Sequence, residues 1–212
     1  MIEITEKMLD GLRERIMESM SPKRFVHTVA VEEMVVRLAA LYCPDQTLPL
    51  RAAALLHDVT KEKKTAEQVE LCRELGLNVS EEDLLAPKTF HAKTAAALIP
   101  RAYAEFAHPT VVDAVRWHTT GRAEMSIPEK LLYLADYIDE SRTFENCVRL
   151  RRFFWDAHPE DMGEKDRLTH LRETLLLSYR FTIEDLIAEG FPVAIETIEA
   201  RNRLLLEKAR EA

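Results

Sequence analysis

The sequence predicts an all-α domain, and three observations predict it. Only 5 glycines occur in 212 residues, strand-like alternation of β-branched residues is nearly absent, and helix start and stop signals recur along the chain. Ser21-Pro22 opens the first of these helices with a cap and an N1 proline, and it runs to about Cys43, ahead of Pro44. Pro49 precedes a helix that carries Ala52, Leu55, Leu56 and His57. Thr65 with Gln68 reads as a capping box, and Gly76 supplies the C′ stop of that helix. Further helices start near Phe90 and after Pro109. Ser126 with Glu129 makes a second capping box ahead of an apolar run over 130–136. A long amphipathic segment occupies 164–189 and Gly190 ends it. Pro192 begins a last helix, expected through 207.

The length fits one domain with a sizeable core, read here as residues 1–212. No repeat, low-complexity tract or linker divides it. The stretch 157–163 (AHPEDMG) reads as a loop within that domain. It separates helices at 22–142, which carry the polar residues discussed next, from C-terminal helices at 164–208 that pack on them.

Apolar residues at 47% and charged residues at 31% are ordinary for a soluble globular chain. A formal charge of −8 argues against a general nucleic-acid or acidic-membrane binder, since both want a basic surface. A local basic pocket for a small anion remains compatible with it. Cys43, Cys72 and Cys147 lie far apart and form no CxxC pair, so free thiols in a reducing cytosol are expected. The N-terminus lacks the apolar core of a signal peptide, and runs such as 52–56 are too short to span a bilayer. A cytoplasmic protein is expected. A homodimer is compatible with the sequence, which does not set the oligomeric state.

Against this background six polar residues stand out: His27, the pair His57-Asp58, His91, His118 and Asp136. His27 shares a helical stripe with Val31, Met34, Val35 and Leu38, and His118 follows Val111, Ala114 and Val115 on one face. Asp136 follows Leu132 and Tyr133. A lone histidine on an apolar face is more often a hydrogen-bonded core residue than a ligand. A buried unpaired carboxylate is harder to explain in that way. Imidazoles and carboxylates together suit iron, manganese, zinc or nickel, and the two oxygens of Asp58 are able to bridge two metals about 3.5–4 Å apart.

The order His27, His57-Asp58, Asp136 resembles the H…HD…D signature of the HD-domain metal-dependent phosphohydrolases. The segments RFVHTVAVEEM, ALLHDVTKE, FHAKTAAAL, VRWHTTGRAEMSIPEKLLYLADYIDESR and IETIEARNRLL resemble, in order and along nearly the whole chain, the YqeK family of HD proteins. The block from HTTGR to DESR is the most specific part and the bare HD dyad the least. The resemblance implies an HD-domain helical bundle around a dinuclear site and symmetrical hydrolysis of diadenosine tetraphosphate to two ADP by a metal-activated water. It implies one metal on His27, His57, Asp58 and Asp136, and a second on Asp58, His91 and His118. Two divalent ions are expected, iron first, with manganese, nickel, cobalt or zinc as alternatives. Phe90 and Ala92 flank His91 where the family pattern has an aliphatic residue and a glycine, and Asp139-Glu140-Ser141 stands where it often has Glu-Pro.

Basic residues near these positions fit a polyphosphate. Lys61 lies one turn after His57, and Arg122 follows His118 through the turn-like Thr119-Thr120-Gly121, which is expected to fold its guanidinium over the metals. Arg24 and Arg142 flank His27 and Asp136. Asp58, Lys61 and Arg122 are thus the expected catalytic residues, and Lys61, Arg122, Arg24 and Arg142 the expected substrate contacts; solvated or ion-paired surface positions are the plainer alternative. Asp139 is a candidate proton shuttle, or an acceptor that orients a ligand from behind, with solvated helix surface the favoured reading. His108, His158 and His170 read as turn or surface histidines, and Phe153, Phe154 and Trp155 as packing for the C-terminal helices. Trp117, next to His118, is a somewhat better candidate than these for lining a pocket, with packing still the favoured reading. P-loop, GxGxxG, GxSxG and Nudix patterns are absent from the sequence. The competing functions are hydrolysis of a nucleoside monophosphate or guanosine polyphosphate, a non-catalytic metal-binding regulatory module, and oxygen activation at a diiron pair.

Overall fold

The computed structural model describes residues 3–211. Among them run eleven α-helices and no strand: α1 (Glu6–Ser19), α2 (Pro22–Tyr42), α3 (Thr47–Leu56), α4 (Thr65–Leu75), α5 (Glu81–Leu85), α6 (Phe90–Ala102), α7 (Pro109–Trp117), α8 (Ile127–Ile138), α9 (Glu145–Trp155), α10 (Glu164–Ala188) and α11 (Ile195–Glu211). The local chemistry explains most ends. Ser21 Oγ accepts from the Arg24 N–H at the start of α2, and Ser126 with Glu129 closes a reciprocal capping box on α8. Gly76 (φ 73°) and Gly190 (φ 74°) end α4 and α10 in the left-handed conformation that glycine adopts without strain.

Several boundaries move from their expected places. α3 begins at Thr47, so Pro49 lies in its first turn, where a missing N–H costs no helical bond. Lys64, not Thr65, precedes α4, and its N–H donates to Glu67 Oε2 at 2.7 Å. Residues 191–194 are irregular, and α11 starts after them at Ile195 rather than at Pro192. Helices α1, α5 and α9 add to those expected. The highly charged α1 hides a narrow stripe of Leu9, Leu12 and Ile16, all buried; α9 buries Cys147, Leu150 and Phe154 in the same spacing.

α3 lies at the centre. Leu50, Ala52, Ala53, Ala54, Leu55 and Leu56 are all fully buried, as befits a helix that is apolar on every side. It packs against α2, α7 and α1, while α8 closes on α2 and α7, and α6 lies on α7. α10 packs on α9, α8 and α11. The buried apolar cluster extends from Ile4 to Leu204. Each fully buried leucine in it contributes about 1.5–3 kcal/mol. One buried charge ties the first three helices together. Glu32 accepts from Arg13 Nη2 at 2.7 Å and from Arg51 Nε at 3.0 Å, which satisfies a carboxylate that would otherwise be costly to bury. Cys43, Cys72 and Cys147 are free thiols. No helix among the described residues is long and apolar enough to cross a membrane.

Candidate metal centre

The six polar residues meet at one end of α3. His27 comes from α2, His57 and Asp58 from the turn that follows α3, His91 from the first turn of α6, His118 from the C-cap of α7 and Asp136 from α8. The apolar run of α3 drives that helix through the core, so the dyad that ends it emerges inside the bundle rather than at its surface. His57 is fully buried, and His27, Asp58, His91 and His118 are each less than a tenth exposed.

The two oxygens of Asp58 face two different groups. Oδ2 lies 3.4 Å from His57 Nε2 and 3.8 Å from His27 Nε2. Asp136 Oδ1 completes that side, 3.0 Å from His27 Nε2 and 3.8 Å from His57 Nε2. Oδ1 of Asp58 lies 3.3 Å from His91 Nε2 and 3.8 Å from His118 Nε2, and those two nitrogens are 3.1 Å apart. His91 therefore turns toward Asp58 despite its unusual neighbours Phe90 and Ala92, which are both buried in the core.

Hydrogen bonding fixes which ring nitrogen faces inward. His57 Nδ1 lies 2.6 Å from the Ala54 carbonyl, and His118 Nδ1 lies 2.7 Å from the Val115 carbonyl. A carbonyl only accepts, so each Nδ1 carries a proton and each Nε2 is the nitrogen turned toward the cluster. His57 Nε2 is buried with no hydrogen-bond partner, and His27 Nε2 meets Asp136 off hydrogen-bond geometry. Imidazole nitrogens and carboxylate oxygens that converge in this way make a donor set a cation can take, and His–carbonyl bonds of this kind orient metal ligands. The donor set fits divalent metal ions, with His27–His57–Asp136 and His57–Asp58–His118 each close enough to hold one.

Electrostatics hold both carboxyls ionised and disfavour the charged forms of His91 and His118. Burial alone would raise the Asp58 pKa, but the facing imidazoles of His57, His118 and His91 outweigh it and hold the carboxyl well below its usual range. Burial likewise opposes ionisation of Asp136, and Arg142 and His27 overcome it. Burial, helped by the Lys61 charge, pushes His91 well below the ordinary imidazole value, and burial also lowers His118. His27 goes the other way. Burial disfavours its charged form, but the Asp136 and Asp139 carboxylates prevail and raise its pKa to about 9.

The basic residues divide. Arg24 Nη1 donates to Asp58 Oδ2 at 2.5 Å, and Arg142 pairs with Asp136 Oδ1 while its Nε donates to the Asp136 carbonyl at 2.6 Å. Lys61 Nζ lies 3.1 Å from His91 Nε2. All three stand against the cluster. Arg122 does not fold over it as expected. Its Nε pairs with the buried Glu129 carboxylate at 2.7 Å, and its guanidinium lies 5.5 Å from the Trp117 ring centre. A buried carboxylate competes for the guanidinium more strongly than an open turn directs it.

Three further polar residues stand against the cluster. Asp139 is fully buried rather than solvated. Its Oδ2 lies 3.4 Å from His27 Nδ1, and its Oδ1 accepts from the Ser141 N–H at 2.9 Å. Ser141 Oγ lies 3.2 Å from His27 Nδ1. Thr119 Oγ1 is 3.3 Å from Nε2 of both His91 and His118. Among the other histidines, His108 caps α7 by accepting from the Thr110 N–H, and His158 is exposed. His170 lies against Phe153 and Phe154, with Nε2 3.0 Å from the Phe154 carbonyl, rather than on a solvated charged face.

The HD domain family model matches residues 24–141, a span that holds all six clustered residues. The chain belongs to the HD-domain family. It is 32% identical over 187 residues to a symmetrical bis(5'-nucleosyl)-tetraphosphatase of Halalkalibacterium halodurans, covering 87% of this chain and 90% of that one. A protein of the same description from Bacillus subtilis is 27% identical over 90% of this HD-domain chain and 94% of its own. A solved Clostridium acetobutylicum structure, described as a predicted HD superfamily hydrolase involved in NAD metabolism, superposes with a TM-score of 0.80. It is 32% identical, and the match covers 93% of this chain and 97% of that one.

Proposed function

We propose that this HD-domain protein is a metal-dependent phosphohydrolase that cleaves diadenosine tetraphosphate with one water into two ADP. The relatives described as symmetrical bis(5'-nucleosyl)-tetraphosphatases support the substrate. The observation that carries the chemistry is the division of Asp58, whose oxygens face two separate groups of imidazoles.

In this reading His27, His57, Asp58 and Asp136 hold one divalent cation, and Asp58, His91 and His118 hold the other. Iron is the proposed metal of both. When bound, such a pair supplies a lowered water pKa and neutralises charge on the phosphates. The rest falls to the chain's own residues. Arg24 and Arg142, now paired with ligand carboxylates and each about a quarter exposed on the side chain, are placed to turn toward phosphate oxygens once those carboxylates are neutralised. Lys61 adds a point charge beside His91. Asp139 and Ser141 fix the His27 ring through Nδ1, and Arg151 steadies their turn by donating to the Ile138 carbonyl at 2.7 Å. Arg122 serves the site indirectly, by holding the turn after His118 to α8 through Glu129.

Anaerobically purified protein loaded with iron or manganese is expected to release ADP alone from diadenosine tetraphosphate. Release of AMP with ATP, or no release, would overturn the reading. NAD, included because of the description of the Clostridium structure, is expected to stay intact.

A further inference from the structure

Two adjoining recesses run outward from the His91–His118 side of the cluster. The first, about 230 Å³, is lined by Lys61, Lys63, Lys88 and Pro87, with His91 at its inner end. Three lysines around one small recess beside the ligands make a strongly cationic wall in a chain whose formal charge is −8. The second, about 170 Å³, is an almost wholly apolar slot between the connection from α5 to α6 and the irregular segment after α10. Leu186, Phe191, Pro192 and Ala194 form one side of it, and Pro87 with Lys88 belongs to both recesses. Thr119, which touches both His91 and His118, closes the slot against the cluster.

The size and chemistry of the slot suit a single flat heterocycle better than a whole nucleotide, for which pockets of about 300 Å³ or more are usual. Phe191 is 39% exposed, although burial is the ordinary fate of so large an apolar side chain. The segment holding it is anchored, since the Phe191 N–H donates to the Leu186 carbonyl at 2.9 Å at the end of α10. Lys88 Nζ lies 4.7 Å from the Phe191 ring centre and 3.0 Å from Glu189 Oε2. That ion pair is exposed on both sides, so it holds the ammonium only weakly against a phosphate.

We propose that this slot seats one adenine of the substrate against Phe191, and that Lys63 and Lys88 bind the adjoining phosphates between the slot and the metal ligands. The assignment rests on the phosphohydrolase reading above, and its ligand class is a purine nucleoside 5′-diphosphate or longer. The order of groups supports it: a base-sized apolar slot, then lysines, then the imidazole cluster, which is the order of base, phosphate chain and scissile bond in such a molecule. Base–aromatic stacking supplies affinity without demanding a hydrogen-bond code, and lysines track phosphate as point charges.

Titration calorimetry on the metal-loaded full chain tests this with ADP and inorganic pyrophosphate as probes. Phe191→Ala is expected to weaken ADP about tenfold, the loss of one base–aromatic stack, and to change pyrophosphate affinity by less than about twofold. Phe191→Tyr is expected to restore ADP, which separates the lost ring from a damaged fold. Lys88→Ala is expected to weaken both probes. In turnover, Phe191→Ala raises KM for diadenosine tetraphosphate by more than it lowers kcat. Equal weakening of both probes by Phe191→Ala, or no change in either, would overturn the assignment. The two readings fail separately: ADP release from the dinucleotide with an unaltered Phe191→Ala variant removes the slot alone. Absence of ADP release with the binding pattern intact removes the proposed reaction alone.

Discussion

Gly121 lies three residues after His118, at φ 69°, in the turn that brings the imidazole to the cluster. A Cβ built there would run into the hydroxyl of Tyr179, come within 3.1 Å of the ring carbon that carries it, and reach 3.2 Å from Ala200 Cβ. Tyr179 is itself fully buried and lies 4.8 Å, ring to ring, from Tyr133, so it has little room to withdraw. Gly121→Ala therefore meets two costs. The left-handed backbone disfavours alanine by about 1–2 kcal/mol. Overpacking against a fixed ring adds about 1–3 kcal/mol. Together they predict a loss of about 2–5 kcal/mol, or a Tm lower by roughly 4–20 °C at about 2–4 °C per kcal/mol for a chain of this size. Urea and thermal unfolding of the metal-free variant measure it. Gly76→Ala is the control, because it shares the left-handed φ but meets nothing within 4 Å, so only the backbone cost of about 1–2 kcal/mol remains. If the two variants lose the same stability, Tyr179 yields freely and the turn after His118 is not held as described.

Two further outcomes follow from the ligand surroundings. Asp139→Ala frees His27 Nδ1 from its carboxylate, and is expected to weaken metal binding about 10–100-fold, read by competition with a chelator, while the fold persists. Unchanged metal affinity would remove Asp139 from the orientation of His27. Metal-free protein is expected to lose stability between about pH 6.5 and 9, because the His27 pKa is raised to about 9 in the folded state; its contribution is complete below the unfolded value of about 6.5 and disappears as pH rises through 9. A His27→Gln variant lacks that slope, and a metal-free wild-type profile as flat as the variant's would contradict it.

The central helix and the clustering of the His57-Asp58 dyad were legible because one physical cause wrote both into the sequence. An apolar helix that runs through the core, ending in His57-Asp58, has nowhere to put those side chains except inside the bundle. In α1, dense charge around Leu9, Leu12 and Ile16 masks an apolar stripe only one residue wide. Asp139 read as solvated because Glu140 and Arg142 follow it. The extended backbone at the end of α8 (ψ 154°) instead turns the chain so that the carboxylate lies under His27. The sequence distance from His118 to Arg122 is short, but spacing says nothing about a competing partner. Glu129, read only as a helix cap, proved to be a buried carboxylate that takes the guanidinium. The base slot joins segments around positions 87, 119 and 191, which no local pattern connects.

The division of Asp58 between two groups of ligands is tested most directly by counting metal. Anaerobic metal analysis of wild type, His91→Ala and Asp58→Ala, each loaded with excess ferrous iron and desalted, reads it without reference to substrate. Two equivalents per chain are expected for wild type and one for His91→Ala, held by His27, His57, Asp58 and Asp136. Asp58→Ala is expected to retain neither tightly. A single equivalent in wild type that His91→Ala leaves unchanged would contradict the account and reduce the centre to one metal.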